Sequence, residues 1–207
     1  MTWKFDSTIA ETFVDHARCH IPNYDQVIDK CVGLCEYYLE ESSHIVDVGC
    51  ATGETIRRLH AVGFDNLTGV ESSSSMLQQC DYNIARYIHT DQFPVETVDA
   101  VLCNWTLHFV EDKIKYLIDI HRNLNKDGLL VLSEKTSLDP VAINFYHKWK
   151  HSQGVSWEDI ASKEAAVKDI MYINDPKWYI DTLTWIGFRN IQVIDASWCF
   201  TTFLCIK

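Results

Sequence analysis

The sequence has no long apolar run: nothing in it approaches the roughly 18 consecutive apolar residues that a membrane-crossing helix needs, so no membrane partner is expected. Its first residues carry neither a basic stretch nor an apolar core of the secretory kind, which predicts a cytoplasmic protein. Positive charge is scarce, with 18 Lys and Arg against 29 Asp and Glu and a formal net charge of -11. A phosphate backbone is met by a basic face, so direct binding of nucleic acid is disfavoured. The eight cysteines include no Cys-x-x-Cys pair and read as free thiols in a reducing compartment. Cys31 and Cys35, four apart, suit one helical face as buried thiols, and no metal site is predicted. Repeats, linkers and low-complexity tracts are also missing. With 47% hydrophobic and 23% charged residues, the 207-residue chain reads as one globular domain, 1–207.

What is present has a clear rhythm. Residues 1–40 read as a mainly helical segment broken at Ile21-Pro22-Asn23-Tyr24; beyond the break, Val27, Ile28, Cys31, Leu34, Cys35 and Tyr38 form one apolar stripe. That segment is expected to pack on or over the main domain. Strands follow at 44–48, 66–70, 86–89, 98–103 and 129–133, alternating with helices at 54–61, 75–82 and 113–124. Near-continuous apolar strands between helices predict an α/β fold, a Rossmann-like and mostly parallel sheet covered on both faces. Residues 136–174 interrupt the alternation as a helical insertion near the ligand crevice. A helix at 178–186 and strands at 191–194 and 199–206 then close the chain, the strands pairing antiparallel at the sheet edge.

The stretch Asp47-Val48-Gly49-Cys50-Ala51-Thr52-Gly53-Glu54 follows the first strand. Two glycines four residues apart let the backbone turn tightly and approach a ligand before a helix begins. Glu71, with Ser72 beside it, is placed after the second strand, where a carboxylate accepts ribose hydroxyls; Asp91, with Gln92 beside it, is placed to receive an adenine amino group. A dinucleotide loop spaces its glycines to admit a pyrophosphate at the helix N-terminus, whereas Glu54 at this helix start repels phosphate. Asp47 offers a carboxylate to a cationic amino-acid tail. S-adenosylmethionine has such an ammonium and no phosphate, so it is the expected cofactor. Asn104 and Trp105, past the fourth strand, are expected to line it.

The run Asp47 to Gly53 with Glu71 resembles class I S-adenosylmethionine-dependent methyltransferases, and the likeness covers nearly the whole chain. Within that superfamily the chain is similar to the carboxy-S-adenosylmethionine synthases of the tRNA wobble-uridine pathway. The likeness rests on Phe5-Asp6 with Ile21-Pro22-Asn23-Tyr24, Asn104-Trp105-Thr106-Leu107-His108-Phe109, Leu130-Val131-Leu132-Ser133-Glu134-Lys135, Lys163, Asp169-Ile170-Met171, Gly187-Phe188 and Phe200 to Lys207. Two departures matter. Those synthases carry an arginine directly after the lysine matching Lys163, where it binds the extra carboxylate of the modified cofactor; this chain has Glu164, and like charges repel. They also carry glutamine where this chain has His108. The resemblance therefore implies the fold and cofactor pocket, with ordinary S-adenosylmethionine donating a methyl group to oxygen, nitrogen or sulfur of a small molecule. The alternatives are a carboxy-S-adenosylmethionine synthase-like enzyme and a catalytically silent partner that uses the cofactor pocket. By the same likeness a homodimer is an expected assembly.

Methyl transfer needs an acceptor lone pair aligned with the methyl carbon and a group to take any proton released. His108, past the fourth strand, is the candidate base, with a packed structural histidine as the alternative. Tyr24 is the catalytic candidate of the N-terminal segment, its hydroxyl placed for the cofactor carboxylate; His20 is a candidate for the substrate pocket, and His16 is expected on the helix surface. Tyr146, Trp149 and Trp157, with His147 and His151, are candidates for an acceptor pocket in the insertion or for its packing.

Overall fold

Strand alternation in the middle of the chain decides the layering. In the computed structural model, which describes residues 7–207, β1 (Ile45–Val48) is buried at all four positions. Residues 1–6, including Phe5 and Asp6, lie outside the described residues. Successive side chains of a strand point to opposite faces, so β1 contributes Ile45 to one core and Val46 and Val48 to the other. The first core joins it to Ile28, Cys31 and Cys35 of α3 (Tyr24–Tyr38) and to Ile56 and Leu59 of α4 (Glu54–Ala61). The second joins it to Leu117 and Ile120 of α6 (Lys113–Asn123) and to Tyr179 and Leu183 of α9 (Pro176–Ile186).

The sheet has seven strands in the order β3-β2-β1-β4-β5-β7-β6. Here β2 is Leu67–Glu71, β3 Arg86–His89, β4 Val98–Asn104, β5 Leu124–Lys135, β6 Arg189–Ser197 and β7 Phe200–Ile206. Strands β1 to β5 pair in parallel, and β7 pairs antiparallel with both β5 and β6. The expected mostly parallel sheet with an antiparallel edge is thus observed. The chain builds outward from β1 to β3 and then returns beside β1 with β4, and such a switch opens a crevice at the carboxyl ends of the two strands.

Helices α1 (Ser7–Glu11), α2 (Phe13–His20) and α3 run over that end, with the break before α3 at Asn23, φ 58°. The insertion consists of α7 (Pro140–Ser152) and α8 (Trp157–Val167). Asp139 and Ser156 cap them, each side chain accepting a backbone N–H of the first turn, and Pro140 occupies a position whose N–H a helix does not use. Thr136 and Asn174 pair across the base of the insertion, and the Ser137 N–H donates to the Asn174 carbonyl at 3.0 Å.

Several boundaries differ from expectation, among them β6, which spans Arg189–Ser197 against the expected 191–194. Strand β2 runs one residue further, so Glu71 ends the strand instead of following it. The helix expected at 75–82 is the single turn α5 (Ser74–Leu77), because Asp81 accepts hydrogen bonds from the backbone and side chain of Asn83 and forms a local turn that competes with helix. Strand β5 begins at Leu124 directly after α6, five residues before the expected start, since Leu124 already pairs with Val98 ahead of a register shift. All eight cysteines are free. Burial pushes the Cys35 thiol up to about 12. Among the described residues no helix is long and apolar enough to cross a membrane, and no group of three or more His, Cys, Asp or Glu side chains is arranged to hold a metal.

Candidate active site

The crevice holds a cavity of about 310 Å³, within the usual range for small-molecule sites. Its floor is the loop after β1. Gly49, Ala51 and Gly53 all have positive φ (67°, 47° and 82°), which coils the backbone tightly before α4. The N–H groups of Gly49 and Cys50 both donate to the Val70 carbonyl, at 2.8 and 3.1 Å, pinning the loop to β2. A Cβ on Gly49 would lie 2.0 Å from Thr106 Oγ1, so glycine is required there. Thr106 Oγ1 in turn donates to the Val48 carbonyl at 3.0 Å, or to that of Asn104 at the same distance.

The electrostatics of this end are acidic. Asp47 is 2% exposed, and its Oδ2 has no hydrogen-bond partner among the described residues. Burial, reinforced by the nearby Glu71, raises its pKa well above the ordinary 3.8. A ligand ammonium beside it would restore the charged form and supply the missing donor. Glu71 braces the loop from the other side: its Oε2 accepts from the Ala51 N–H at 3.0 Å and its Oε1 from the Ser73 N–H at 2.8 Å. Asn104 accepts from Ser133 Oγ at 2.8 Å, while among the described residues its buried amide nitrogen has no acceptor. A free acceptor on Asp47 and a free donor on Asn104 fit the ammonium and carboxylate of an amino-acid tail.

Cys50, Ala51, Ser72, Asp91 and Trp105 also line the cavity. Trp105 takes φ 56°, uncommon for a bulky residue, and stacks on Tyr24 with centroids 5.0 Å apart. Tyr24 is buried, and burial raises its hydroxyl above the ordinary range. Gly53 and Gln92 do not line the cavity. Gly53 caps α4, and the Gln92 amide turns to Asp91 Oδ1 at 3.1 Å on the exposed surface.

At the other end, His108 lines the cavity from the 3-10 turn Leu107–Phe109 but is only 3% exposed. Its Nδ1 lies 3.3 Å from Oε2 of the fully buried Glu134, which also accepts from the Leu107 N–H at 2.8 Å and the Tyr179 hydroxyl at 3.0 Å. His20 and Tyr146 line the cavity together, with the Tyr146 hydroxyl donating to the His20 carbonyl at 2.7 Å. Burial lowers His16 to about 4 and His20 to about 3, so both imidazoles are neutral at pH 7. Trp149 and Trp157 fall outside the cavity. Trp149 stacks behind Tyr146, and Trp157 is 51% exposed and stacks on His151, so aromatic composition alone overstated the lining of the cavity.

Three lining residues that the sequence reading did not single out are Lys135, Lys150 and Thr106. A signal for Lys150 existed: it follows Tyr146 by four residues and therefore shares its face of α7. Glu164 also lines the cavity and pairs closely with His147 Nε2.

Residues 46–132 match the family model described as a methyltransferase domain. Among solved structures, an S-adenosylmethionine-dependent methyltransferase from Mesorhizobium loti superposes with a TM-score of 0.63 at 16% identity, covering 87% of this chain and 100% of that one. The magnesium protoporphyrin IX methyltransferase of Synechocystis PCC 6803, which holds S-adenosylhomocysteine, superposes with a TM-score of 0.65 at 14% identity, covering 98% and 99%. The chain has the fold of the class I S-adenosylmethionine-dependent methyltransferases, as its sequence led us to expect. It is homologous along its whole length to carboxy-S-adenosyl-L-methionine synthases. It is 28% identical to that of Colwellia psychrerythraea over 225 residues, 99% of this chain and 92% of the relative. It is 27% identical to that of Actinobacillus pleuropneumoniae serotype 7 over 226 residues, 99% and 93% respectively.

Proposed function

We propose that this protein is an S-adenosylmethionine-dependent methyltransferase acting on oxygen, nitrogen or sulfur of a small-molecule acceptor. The observation that carries the reading is Asp47, a buried carboxylate at the switch point of the sheet with one oxygen that has no partner among the described residues. In this reading Asp47 takes the cofactor ammonium and Asn104 its carboxylate, and Glu71 receives the ribose beside Ser72. Asp91 meets the adenine, and Tyr24 and Trp105 cover the amino-acid end. The cofactor supplies a methyl group already activated on sulfonium. The chain's own contribution is to align the acceptor, exclude water and take up the proton.

His108 is assigned the proton. Glu134 holds its Nδ1, so the ring is fixed in orientation and Nε2 is the nitrogen offered to an acceptor. His108→Asn is expected to reduce turnover far more than affinity for S-adenosylhomocysteine. Equal turnover in a methyl-release assay would return this residue to a packing role. The formal charge of -11 favours a small acceptor over nucleic acid. A cytoplasmic homodimer completes the reading, and light scattering on the eluting protein tests the dimer.

Carboxymethyl chemistry is the second reading, favoured by the names of the relatives. Glu164 opposes it, because a carboxylate stands where those synthases place arginine, and here it pairs with His147. Mass spectrometry of the small molecules that copurify with the protein decides between them. S-adenosylmethionine or its demethylated product supports methyl transfer, and the carboxylated cofactor overturns it.

A further inference from the structure

Lys113 is a buried cation that methyl transfer, as described, leaves without a task. It opens α6, is 3% exposed and does not line the cavity. Its ammonium directs all three N–H groups to acceptors: the Tyr172 carbonyl, Asn174 Oδ1 at 2.6 Å and the Tyr179 hydroxyl at 3.3 Å. It also sits over the rings of Trp178 and Tyr179, 5.6 and 5.5 Å from their centres. Three acceptors and two ring faces favour the charged form. Burial lowers the ammonium and Glu134 raises it.

The Tyr179 hydroxyl has one proton, which it donates to Glu134 Oε2 at 3.0 Å while it accepts from Lys113. The same Oε2 lies 3.3 Å from His108 Nδ1. A chain of contacts thus runs from Lys113 on α6 through Tyr179 on α9 and Glu134 on β5 to His108 in the cavity. Cys103 of β4 is close enough to feel Glu134, and burial keeps its thiol protonated. Tyr116 of α6 and, beside the insertion, Lys135, Lys150, Lys163 and Glu164 face the cavity that His108 lines, across from the acidic loop end.

A carboxylate beside an imidazole favours the imidazolium, and a ring that already holds its proton takes up no other. An ammonium on the far side of the carboxylate works against that preference. Between charges less than about 10 Å apart, at an effective dielectric constant of about 20, the interaction amounts to at least about a tenfold change in proton affinity.

We propose that Lys113 is a positioning residue for the reaction: through Tyr179 it holds the charge of Glu134 back from His108, so that the ring stays neutral with Nε2 free to take a proton. The proposal rests on the methyltransferase reading, in which His108 receives the proton of the acceptor. It adds that the readiness of the ring is set from behind, by a side chain outside the cavity.

The test is nitrogen-15 NMR on the full chain labelled in histidine, from pH 5 to 9, with His108→Asn identifying the His108 signals among those of the nine histidines. It needs no acceptor. The wild-type ring is expected to be neutral at pH 7, with Nδ1 protonated and Nε2 bare. Lys113→Met is expected to raise the midpoint of its titration by at least about one pH unit, a tenfold gain in proton affinity, and Lys113→Arg, which keeps the charge, to hold it within about 0.3 unit. Tyr179→Phe deletes only the bridging hydroxyl and is expected to raise the midpoint by at least about 0.5 unit, so it carries the test if Lys113→Met fails to fold. A wild-type ring charged at pH 7, or a midpoint within about 0.3 unit of wild type in Lys113→Met or Tyr179→Phe, would overturn the proposal. So would an arginine variant that shifts as far as the methionine variant, because packing and not charge would then set the ring. The expected shifts together with equal turnover in His108→Asn would uphold the control of the ring by Lys113 and refute the assignment of the proton to His108.

Discussion

Asp47→Asn separates the requirements of folding from those of binding. The wild-type carboxyl is 2% exposed, with one oxygen unpartnered among the described residues, so its ionised form is disfavoured until a cation arrives. A hydrogen bond to a charged group contributes about 1.5–3 kcal/mol, and about 1.4 kcal/mol is a tenfold change, so the variant should bind S-adenosylhomocysteine about 10- to 150-fold more weakly. The pH dependence follows from the raised pKa. The folded apo protein keeps a proton that the unfolded chain loses near the ordinary 3.8, so this group destabilises the fold progressively as pH rises above that value, until the folded carboxyl also ionises. Urea titrations from pH 5 to 8 should therefore show the wild-type apo protein losing stability relative to Asp47→Asn. Binding should show the opposite slope, because the ligand ammonium expels the proton: wild-type affinity rises with pH and the heat depends on the ionisation enthalpy of the buffer. A variant that binds within threefold of wild type, with the same pH slope, would refute the assignment of Asp47 to the ammonium.

Gly49→Ala should cost about 2–4 kcal/mol, from overpacking against Thr106 and from the left-handed backbone; an unchanged urea midpoint would remove the claim that glycine is required there. Glu134→Ala leaves the Leu107 N–H, the Tyr179 hydroxyl and His108 without their acceptor. At about 1–3 kcal/mol for each unsatisfied group the loss should reach at least about 3 kcal/mol, with Glu134→Gln losing less, as read by thermal melting followed by circular dichroism. Glu71→Ala should weaken S-adenosylhomocysteine at least about tenfold, and an unchanged dissociation constant in calorimetry would remove it from the site.

The centre of the parallel sheet was legible because β1 and β4 are buried on both faces and read as apolar runs, and the expected 86–89 and 54–61 coincide with the edge strand β3 and with α4. Helix ends fared worse where a polar side chain competes for the backbone, as Asp81 does after α5. Glycine spacing located the tight turn after β1, since φ above zero is a demand that sequence expresses directly. The part played by Gly69 was invisible: a Cβ there would lie 2.5 Å from the Tyr87 ring and 2.7 Å from Cys50 Sγ, a tertiary constraint on an ordinary-looking strand residue. The part of the cavity lined by the insertion was the hardest to read. Trp157 has the composition of a pocket residue but caps His151 at the surface, whereas Lys150, a residue type usually solvated, is buried. Which way a helix faces depends on what it docks against, and α7 docks through Tyr146 onto Phe200 and the His20 carbonyl, contacts more than fifty residues away.

The pairing of Thr136 with Asn174 has a consequence for how such an enzyme can change. The chain leaves the sheet and returns to it at one clasp, so everything between belongs to a single excursion whose ends are already closed. Each doubling of the length of a flexible closed loop costs only about 0.6 kcal/mol. Residues 138–173 can therefore change in length without unpairing the strands on which Asp47 and Glu71 stand, provided that Tyr146 keeps the His20 carbonyl and the Tyr172 N–H keeps the His108 carbonyl. In the proposed reading, the part of the cavity wall that the insertion supplies can be rewritten while the strands that carry Asp47 and Glu71 are kept.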